Sequence, residues 1–265
     1  YNGDLYTLKE GGEPEKVEIS IFSDQKEKDI EKYILNGGAN AIDISPDGKE
    51  LALIIRGEVF VTSADYKTTK RITNTATQER NVSFSEDGRT LYYSAERDGN
   101  WGIWRTSLVN KDDKYFTYAT EFKEELFSDE GETCFQPSVS PDGKYVAYLR
   151  DRTELVIKPT KGGKTISLLK GANYSYIDGD LSFEWSPDSH YLLTTYQANG
   201  GWNNEDIAVI DIDTKEITDL TLSGYSDSAF RWALGGKAMT WESDKDGYRS
   251  HGSWGAEGDV YIMFF

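Results

Sequence analysis

Ser45-Pro-Asp-Gly48, Ser85-Glu-Asp-Gly88, Ser140-Pro-Asp-Gly143, Ser186-Pro-Asp-Ser189 and a degraded Ala233-Leu-Gly-Gly236 are five copies of one phrase, each set between two apolar runs. Their starts lie 40, 55, 46 and 47 residues apart. That interval suits one four-stranded propeller blade and is too long for a lone hairpin. Ser at the first turn position, Pro presetting φ at the second, Asp bonding its own backbone at the third and Gly free to take positive φ make a tight type I hairpin turn. Each copy therefore marks one hairpin.

The runs that follow the turns, such as Lys144-Tyr-Val-Ala-Tyr-Leu149, Thr90-Leu-Tyr-Tyr-Ser94 and Tyr191-Leu-Leu-Thr-Thr-Tyr196, are apolar or aromatic on both faces. A strand of that kind is buried on two sides, as when blades stack face to face. Third strands read at Glu58–Val61, Trp101–Trp104, Leu155–Ile157, Asp206–Ile210 and Asp259–Ile262, and outer edges at Arg71–Thr73, Ile166–Leu168 and Ile217–Leu220. The competing reading is a β-sandwich with coincident turn repeats. At the N-terminal end, Gly3–Leu8, Gly11–Pro14 and Lys16–Ile19 match a third strand, a turn and a fourth strand, while Gly258–Phe265 matches a third strand. The expectation is an all-β chain: a β-propeller of four-stranded antiparallel blades, four of them full, with partial blades at both ends. Residues 1–265 then form one propeller domain, a fragment of a longer chain, with six or seven blades in the complete ring.

At 265 residues, 37% hydrophobic and 13% aromatic, the chain has ample material for a sheet core. No window approaches 18 consecutive apolar residues, so no membrane span is expected. A net charge of −17 argues against nucleic acid and against anionic membrane surfaces as partners, because phosphate binding needs clustered Lys and Arg. Basic peptides and divalent cations remain compatible with it. The single cysteine, Cys134, rules out an intrachain disulfide framework and reads as a packing residue.

Catalytic chemistry has little support. His190 follows a turn phrase, where a solvated side chain is expected, and His251 lies between Ser250 and Ser253 in a Gly- and Trp-rich stretch without nucleophile-elbow spacing. No catalytic residue is assigned. Glu242, Asp244 and Asp246 with Gly247 imitate the first half of a calcium loop, but Ser253 stands where the bidentate Glu belongs, so no metal site is assigned. No Gly-rich segment follows a strand and opens a helix, and no cofactor is indicated. Asn81-Val-Ser83 and Asn173-Tyr-Ser175 are formal glycosylation sequons in or near strands.

The repeated phrase, as in Glu184-Trp-Ser-Pro-Asp188 and Ser140-Pro-Asp-Gly-Lys144, resembles the WD40-like (PD40) repeats of the TolB and tricorn protease propellers. Lys114–Thr120, Tyr174–Asp180 and the run from Gly235 to Phe265 resemble, more narrowly, the tricorn-like propellers of Bacteroidetes S41 family peptidases. The resemblance implies a periplasmic or secreted bacterial serine peptidase whose PDZ and catalytic domains lie downstream, with this propeller the non-catalytic part that binds or gates a peptide or protein substrate. Two alternatives stay open: a TolB-like protein-binding propeller, and the propeller of a prolyl-oligopeptidase-like hydrolase. In all three the binding groups would stand in the loops that precede each phrase, around the channel rim. Arg80, Gln136, Asp178, Asp180 and Asp227 are the candidates.

The second repeat is lengthened by an insertion from Leu108 to Glu132. Its aromatic part, Tyr115 to Tyr118, is expected to form an outer strand, and the acidic part, Glu121 to Glu132, a mobile loop because like charges repel. Deleting Glu124 to Glu130 would then cost little stability.

Overall fold

Each of the four turn phrases that begin with Ser closes the same hydrogen-bond circuit. In the third copy the Gly143 N–H donates to the Ser140 carbonyl (2.8 Å). The Ser140 hydroxyl donates to Asp142 Oδ1 (2.7 Å) and accepts from the Tyr145 N–H (3.0 Å), and Asp142 Oδ1 also accepts from the Lys144 N–H (3.0 Å). The circuit recurs on Ser45, Ser85 and Ser186. The fourth turn residue has positive φ each time: Gly48 71°, Gly88 69°, Gly143 69° and Ser189 64°. Ser189 tolerates this left-handed backbone because its hydroxyl accepts the Asp142 N–H of the preceding turn (3.0 Å), a bond that glycine could not make. Ser140 is 1% exposed. Ser140→Ala leaves the Tyr145 N–H unpaired in the interior and is expected to cost about 1–3 kcal/mol. A lower urea midpoint at unchanged slope would report it.

The computed structural model describes residues 5–20, 34, 37–173, 175–197, 204–248 and 256–265. Residues 1–37 and 38–265 form two separate units. In the first, β1 (Tyr6–Thr7) pairs antiparallel with β2 (Glu15–Lys16) across a turn closed by Gly12 N–H on the Lys9 carbonyl (2.9 Å). The second contains four antiparallel four-stranded sheets, one on each intact phrase. The first sheet runs β3 (Ala39–Ile44), β4 (Glu50–Ile55), β5 (Glu58–Ser63), β6 (Thr69–Arg71). The second runs β7 (Glu79–Phe84), β8 (Thr90–Arg97), β9 (Asn100–Leu108), β10 (Phe122–Leu126). The third runs β11 (Cys134–Val139), β12 (Tyr145–Arg150), β13 (Glu154–Pro159), β14 (Ile166–Lys170). The fourth runs β15 (Phe183–Trp185), β16 (Tyr191–Tyr196), β17 (Asp206–Asp211), β18 (Ile217–Asp219). A fifth sheet has three strands, β19 (Asp227–Ala233), β20 (Ala238–Ser243) and β21 (Asp259–Phe264), with a 3-10 turn at Leu234–Gly236 in place of the degraded phrase. The chain has the all-β propeller architecture that the repeats predict.

The doubly apolar strands have a direct explanation. Four buried clusters each join two successive sheets, so a middle strand feeds one cluster with odd positions and the next with even ones. Tyr93 packs toward the first sheet and Tyr92 toward the third; Ala147 and Leu149 face the fourth sheet, while Val146 and Tyr148 face the second. Cys134 is fully buried in the cluster between the second and third sheets, and burial pushes its thiol far above the ordinary cysteine range. The innermost strands are also tied one to the next. Phe84 N–H donates to Asp43 Oδ2 (2.7 Å), Val139 N–H to Ser83 Oγ (3.2 Å), Trp185 Nε1 to the Ser138 carbonyl (3.1 Å) and Trp232 Nε1 to the Glu184 carbonyl (3.2 Å). The outermost faces of the series carry exposed apolar side chains: Ile42 (61%) and Ile44 (57%) on β3, Val260 (74%) and Phe264 (68%) on β21.

The insertion differs from the expectation. Its outer strand is β10, within the acidic segment, and Tyr115–Ala119 is a turn closed by Ala119 N–H on the Tyr115 carbonyl (3.1 Å). The acidic charges do not repel it into solution, because Glu124, Glu125, Asp129 and Glu132 each find a cation. Glu125 pairs with Arg105, and Glu124 pairs with Arg97 and accepts from the Tyr93 hydroxyl. Phe127, 5% exposed, anchors the segment edge-on against Tyr92 at 5.1 Å. The turn is capped by Glu50 of the first sheet, which accepts from Phe116 N–H (3.1 Å), Thr117 N–H (2.8 Å) and the Thr117 hydroxyl (2.7 Å).

Candidate functional site

Four innermost strands, β3, β7, β11 and β19, break register near their leading ends. Asn81, Gln136 and Ala229 take positive φ of 49°, 55° and 50° there. Such a bulge costs about 1 kcal/mol of backbone strain for a residue other than Gly or Asn, and it re-aims the neighbouring side chains. Side-chain acceptors hold the bulge at Gln136: its N–H lies 3.0 Å from Ser94 Oγ and 3.3 Å from Asn81 Oδ1, and the Ser94 hydroxyl donates to the same Asn81 oxygen (3.2 Å). With Oδ1 so engaged, the Asn81 sequon is built into the rim; the Asn173 side chain is likewise committed, donating to the Thr153 carbonyl (2.6 Å).

The re-aimed carboxamide of Gln136 reaches the loop before β15. It donates to the Leu181 carbonyl (3.0 Å) and accepts the Gly179 N–H (2.9 Å). That loop carries Asp178, which lies 2.8 Å from Arg152 and 3.6 Å from Arg80. Arg80 sits over the Trp101 ring at 4.7 Å and Arg152 over the Phe135 ring at 3.9 Å, and the two rings are 5.5 Å apart. The result is a row of guanidinium, indole, phenyl and guanidinium with one carboxylate bridging its ends, each stacking worth about 0.5–2 kcal/mol. Two guanidinium groups thus share one carboxylate at this spot. Beside it opens a cleft of about 540 Å³ lined by Asn40, Gln78, Arg80, Gln136, Ile177 and Gly179 among others.

Of the five candidates, Arg80, Gln136 and Asp178 come together here. Asp180 lies on the same loop, where its Oδ2 accepts the Tyr176 and Ile177 N–H groups (2.6 and 2.8 Å) and so shapes the turn that presents Asp178. Asp227 does not join them: it is 2% exposed and accepts from Ser223 Oγ (2.5 Å) and Trp241 Nε1 (3.2 Å) at the start of β19. Sequence reasoning missed Trp101, Phe135 and Arg152. Arg152 lies in, and Trp101 just after, the tight turn between the second and third strands of its sheet, and a count of that turn's register in successive repeats would have placed both beside the rim.

The other sequence candidates lie elsewhere. His190 is exposed, 3.6 Å from Asp213. His251, Ser250 and Ser253 fall outside the described residues. In the acidic loop, Asp244 accepts the Ser226 N–H (3.0 Å) and Asp246 the Tyr261 hydroxyl (2.8 Å).

The fold matches known propellers. A TolB-type protein of Agrobacterium tumefaciens superposes with a TM-score of 0.59 at 19% identity, over 84% of this chain and 76% of that one. TolB from Acinetobacter baumannii matches at 0.57 and 18%, over 84% of this chain and 51% of that chain. The tricorn protease matches at 0.61 and 16%, over 99% of this chain and 25% of that chain. The chain thus spans about half of the second protein and a quarter of the third. No family model and no curated protein matches the sequence. These likenesses establish the architecture of a TolB- and tricorn-like β-propeller. Among the described residues no helix is long and apolar enough to cross a membrane.

Proposed function

We propose that this propeller is the non-catalytic, peptide-holding part of a tricorn-like S41 serine peptidase of the bacterial periplasm or exterior, and that the rim cleft beside Arg80, Gln136 and Asp178 is where the peptide rests. The cleft is the observation that carries this reading. It offers carboxamides, a guanidinium and loop backbone groups to an extended chain, with stacked aromatic rings behind them. The span of the tricorn match, nearly the whole of this chain against a quarter of the protease, supports a part without its own chemistry. The exposed apolar faces at Ile42 and Val260 support further blades on either side, and PDZ and peptidase domains are part of the proposal. A TolB-like protein-binding role is the second reading, favoured by the TolB match over three quarters of its length.

Fluorescence anisotropy with labelled casein-derived peptides tests the site. Arg80→Ala together with Gln136→Ala is expected to weaken binding about tenfold, the scale of one or two lost hydrogen bonds to a charged group. Unchanged affinity in that double variant would remove the cleft from consideration, and binding of a folded protein in preference to any peptide would favour the TolB-like role. The chain alone is expected to release no product from fluorogenic peptides.

A further inference from the structure

Three carboxyl groups and two guanidinium groups meet where the first and second sheets join. Glu58 of β5 pairs with Arg71 of β6. Arg97 of β8 lies 2.8 Å from Glu124 of β10 and 2.7 Å from Glu79 of β7. Glu79 is fully buried, at 0% exposure. Its Oε1 accepts from Arg97 Nη1 (2.7 Å) and from the Thr75 hydroxyl (2.9 Å). Its Oε2 faces Thr73 Oγ1 at 3.0 Å. Thr73 Oγ1 in turn accepts the Val59 N–H (2.9 Å) and lies 2.7 Å from Glu58 Oε2.

A hydroxyl carries one proton and two lone pairs. Thr73 can therefore donate to Glu58 or to Glu79 but not to both. With both acids ionised, one of these buried oxygen pairs would meet lone pair against lone pair. We infer that Glu79 is a protonated carboxylic acid in the folded protein, its Oε2–H donating to Thr73, whose own proton goes to Glu58.

Every group in the circuit is then satisfied. Glu79 Oε1 behaves as the carbonyl oxygen, accepting two bonds, and Oε2 as the hydroxyl, donating one. Glu58, whose Oε1 takes Arg71 and the Thr75 N–H (3.3 Å), keeps its charge. A count of charges reaches the same state independently. Arg71 pairs with Glu58, and the single Arg97 is shared by Glu79 and Glu124, which also accepts from the Tyr93 hydroxyl (2.5 Å), so three carboxylates would face two guanidinium groups and leave one negative charge uncompensated. Arg80, the next residue along β7, is directed to Asp178 and Trp101 and does not compensate it. Burial raises the titration of Glu79 above the ordinary Glu range, with Arg97 and the two threonines opposing.

The linkage has a definite sign. The folded chain holds a proton that the unfolded chain releases above the ordinary Glu pKa. This contribution to stability is complete at acid pH and is lost as pH rises through the raised value. Glu79 is also among the residues that line the rim cleft.

The test is infrared spectroscopy of the whole chain in heavy water near neutral pH, with urea unfolding across pH. The C=O stretch of a protonated carboxyl group is expected in the parent protein and absent in Glu79→Gln, whose carboxamide supplies the same acceptor and donor. The variant is expected to unfold at the same or a higher urea midpoint near neutral pH, with a flatter dependence on rising pH. No protonated-carboxyl band in the parent would overturn the inference, whether or not the variant folds. So would a band that survives Glu79→Gln and disappears in Glu58→Gln, or a neutral-pH midpoint that falls in Glu79→Gln as it does when a buried ion pair is broken.

Discussion

Glu50→Ala is expected to destabilise the protein by about 3–5 kcal/mol, although Glu50 belongs to a strand end and touches no part of the rim cleft. Its carboxylate, 2% exposed, is the acceptor for two backbone N–H groups and one hydroxyl of the turn at Phe116 and Thr117. Removing it leaves buried donors unpaired, at about 1–3 kcal/mol each. It also frees the turn that holds Phe116, fully buried between Phe84 (6.2 Å) and Phe122 (5.7 Å), in the cluster joining the first two sheets. Glu50→Gln keeps one acceptor oxygen and should lose about half as much. Urea unfolding of both variants measures it, and a loss below about 1 kcal/mol in Glu50→Ala would mean that the turn is held by its aromatic packing alone.

Deletion of residues 124–130 with a short Gly-Ser replacement is expected to abolish the second blade as a stable unit. The deletion removes most of β10, which pairs with β9 from Phe122↔Leu108 to Leu126↔Trp104. It takes Glu124 from Arg97 and Glu125 from Arg105, and removes Ser128, whose hydroxyl accepts the Ile103 N–H (3.1 Å). The loss of Phe127 alone can be measured cleanly. Phe127→Ala should cost about 3–5 kcal/mol, since it opens a cavity beside Tyr92 and Ile103 in a closely packed cluster. The same cavity uncovers Arg105 and Lys158, which lie 5.5 and 5.6 Å from the Phe127 ring. Retention of parental stability after the deletion would show that the acidic segment is a tolerated surface loop after all.

The acidic segment illustrates why a one-dimensional pattern misleads. Five acidic residues from Glu121 to Glu130 suggest mutual repulsion when the chain is read in order. The arginines that pair with Glu124 and Glu125, Arg97 and Arg105, stand on strands twenty or more residues earlier, and the Lys158 that pairs with Asp129 stands on a later sheet, so only the assembled sheets bring them within reach. Tyr115–Tyr118 likewise looks like a strand by aromatic content, yet Phe116 is the buried member and Tyr118 is 58% exposed, an arrangement that a capped turn allows and an alternating strand would not.

What the sequence by itself determined is whatever rests on neighbouring residues. The phrase at Ser45, Ser85, Ser140 and Ser186 specifies its turn through contacts within five positions, and the doubly apolar runs require stacking on both faces, so the four full blades and their strand order could be read directly. Tertiary structure alone decided which rim residues meet. Arg80, Phe135, Arg152 and Asp178 come from four separated segments, and their assembly depends on bulges in the innermost strands that turn side chains by a fraction of a residue's register. Asp227 is, like Asp178, an aspartate in the stretch before its phrase, but Trp241 and Ser223 draw its carboxylate inward. Glu79 shows the same division for protonation. Its acidity in sequence is that of any glutamate, and the proton it holds is set by a threonine six residues before it and by Glu58 on the neighbouring sheet.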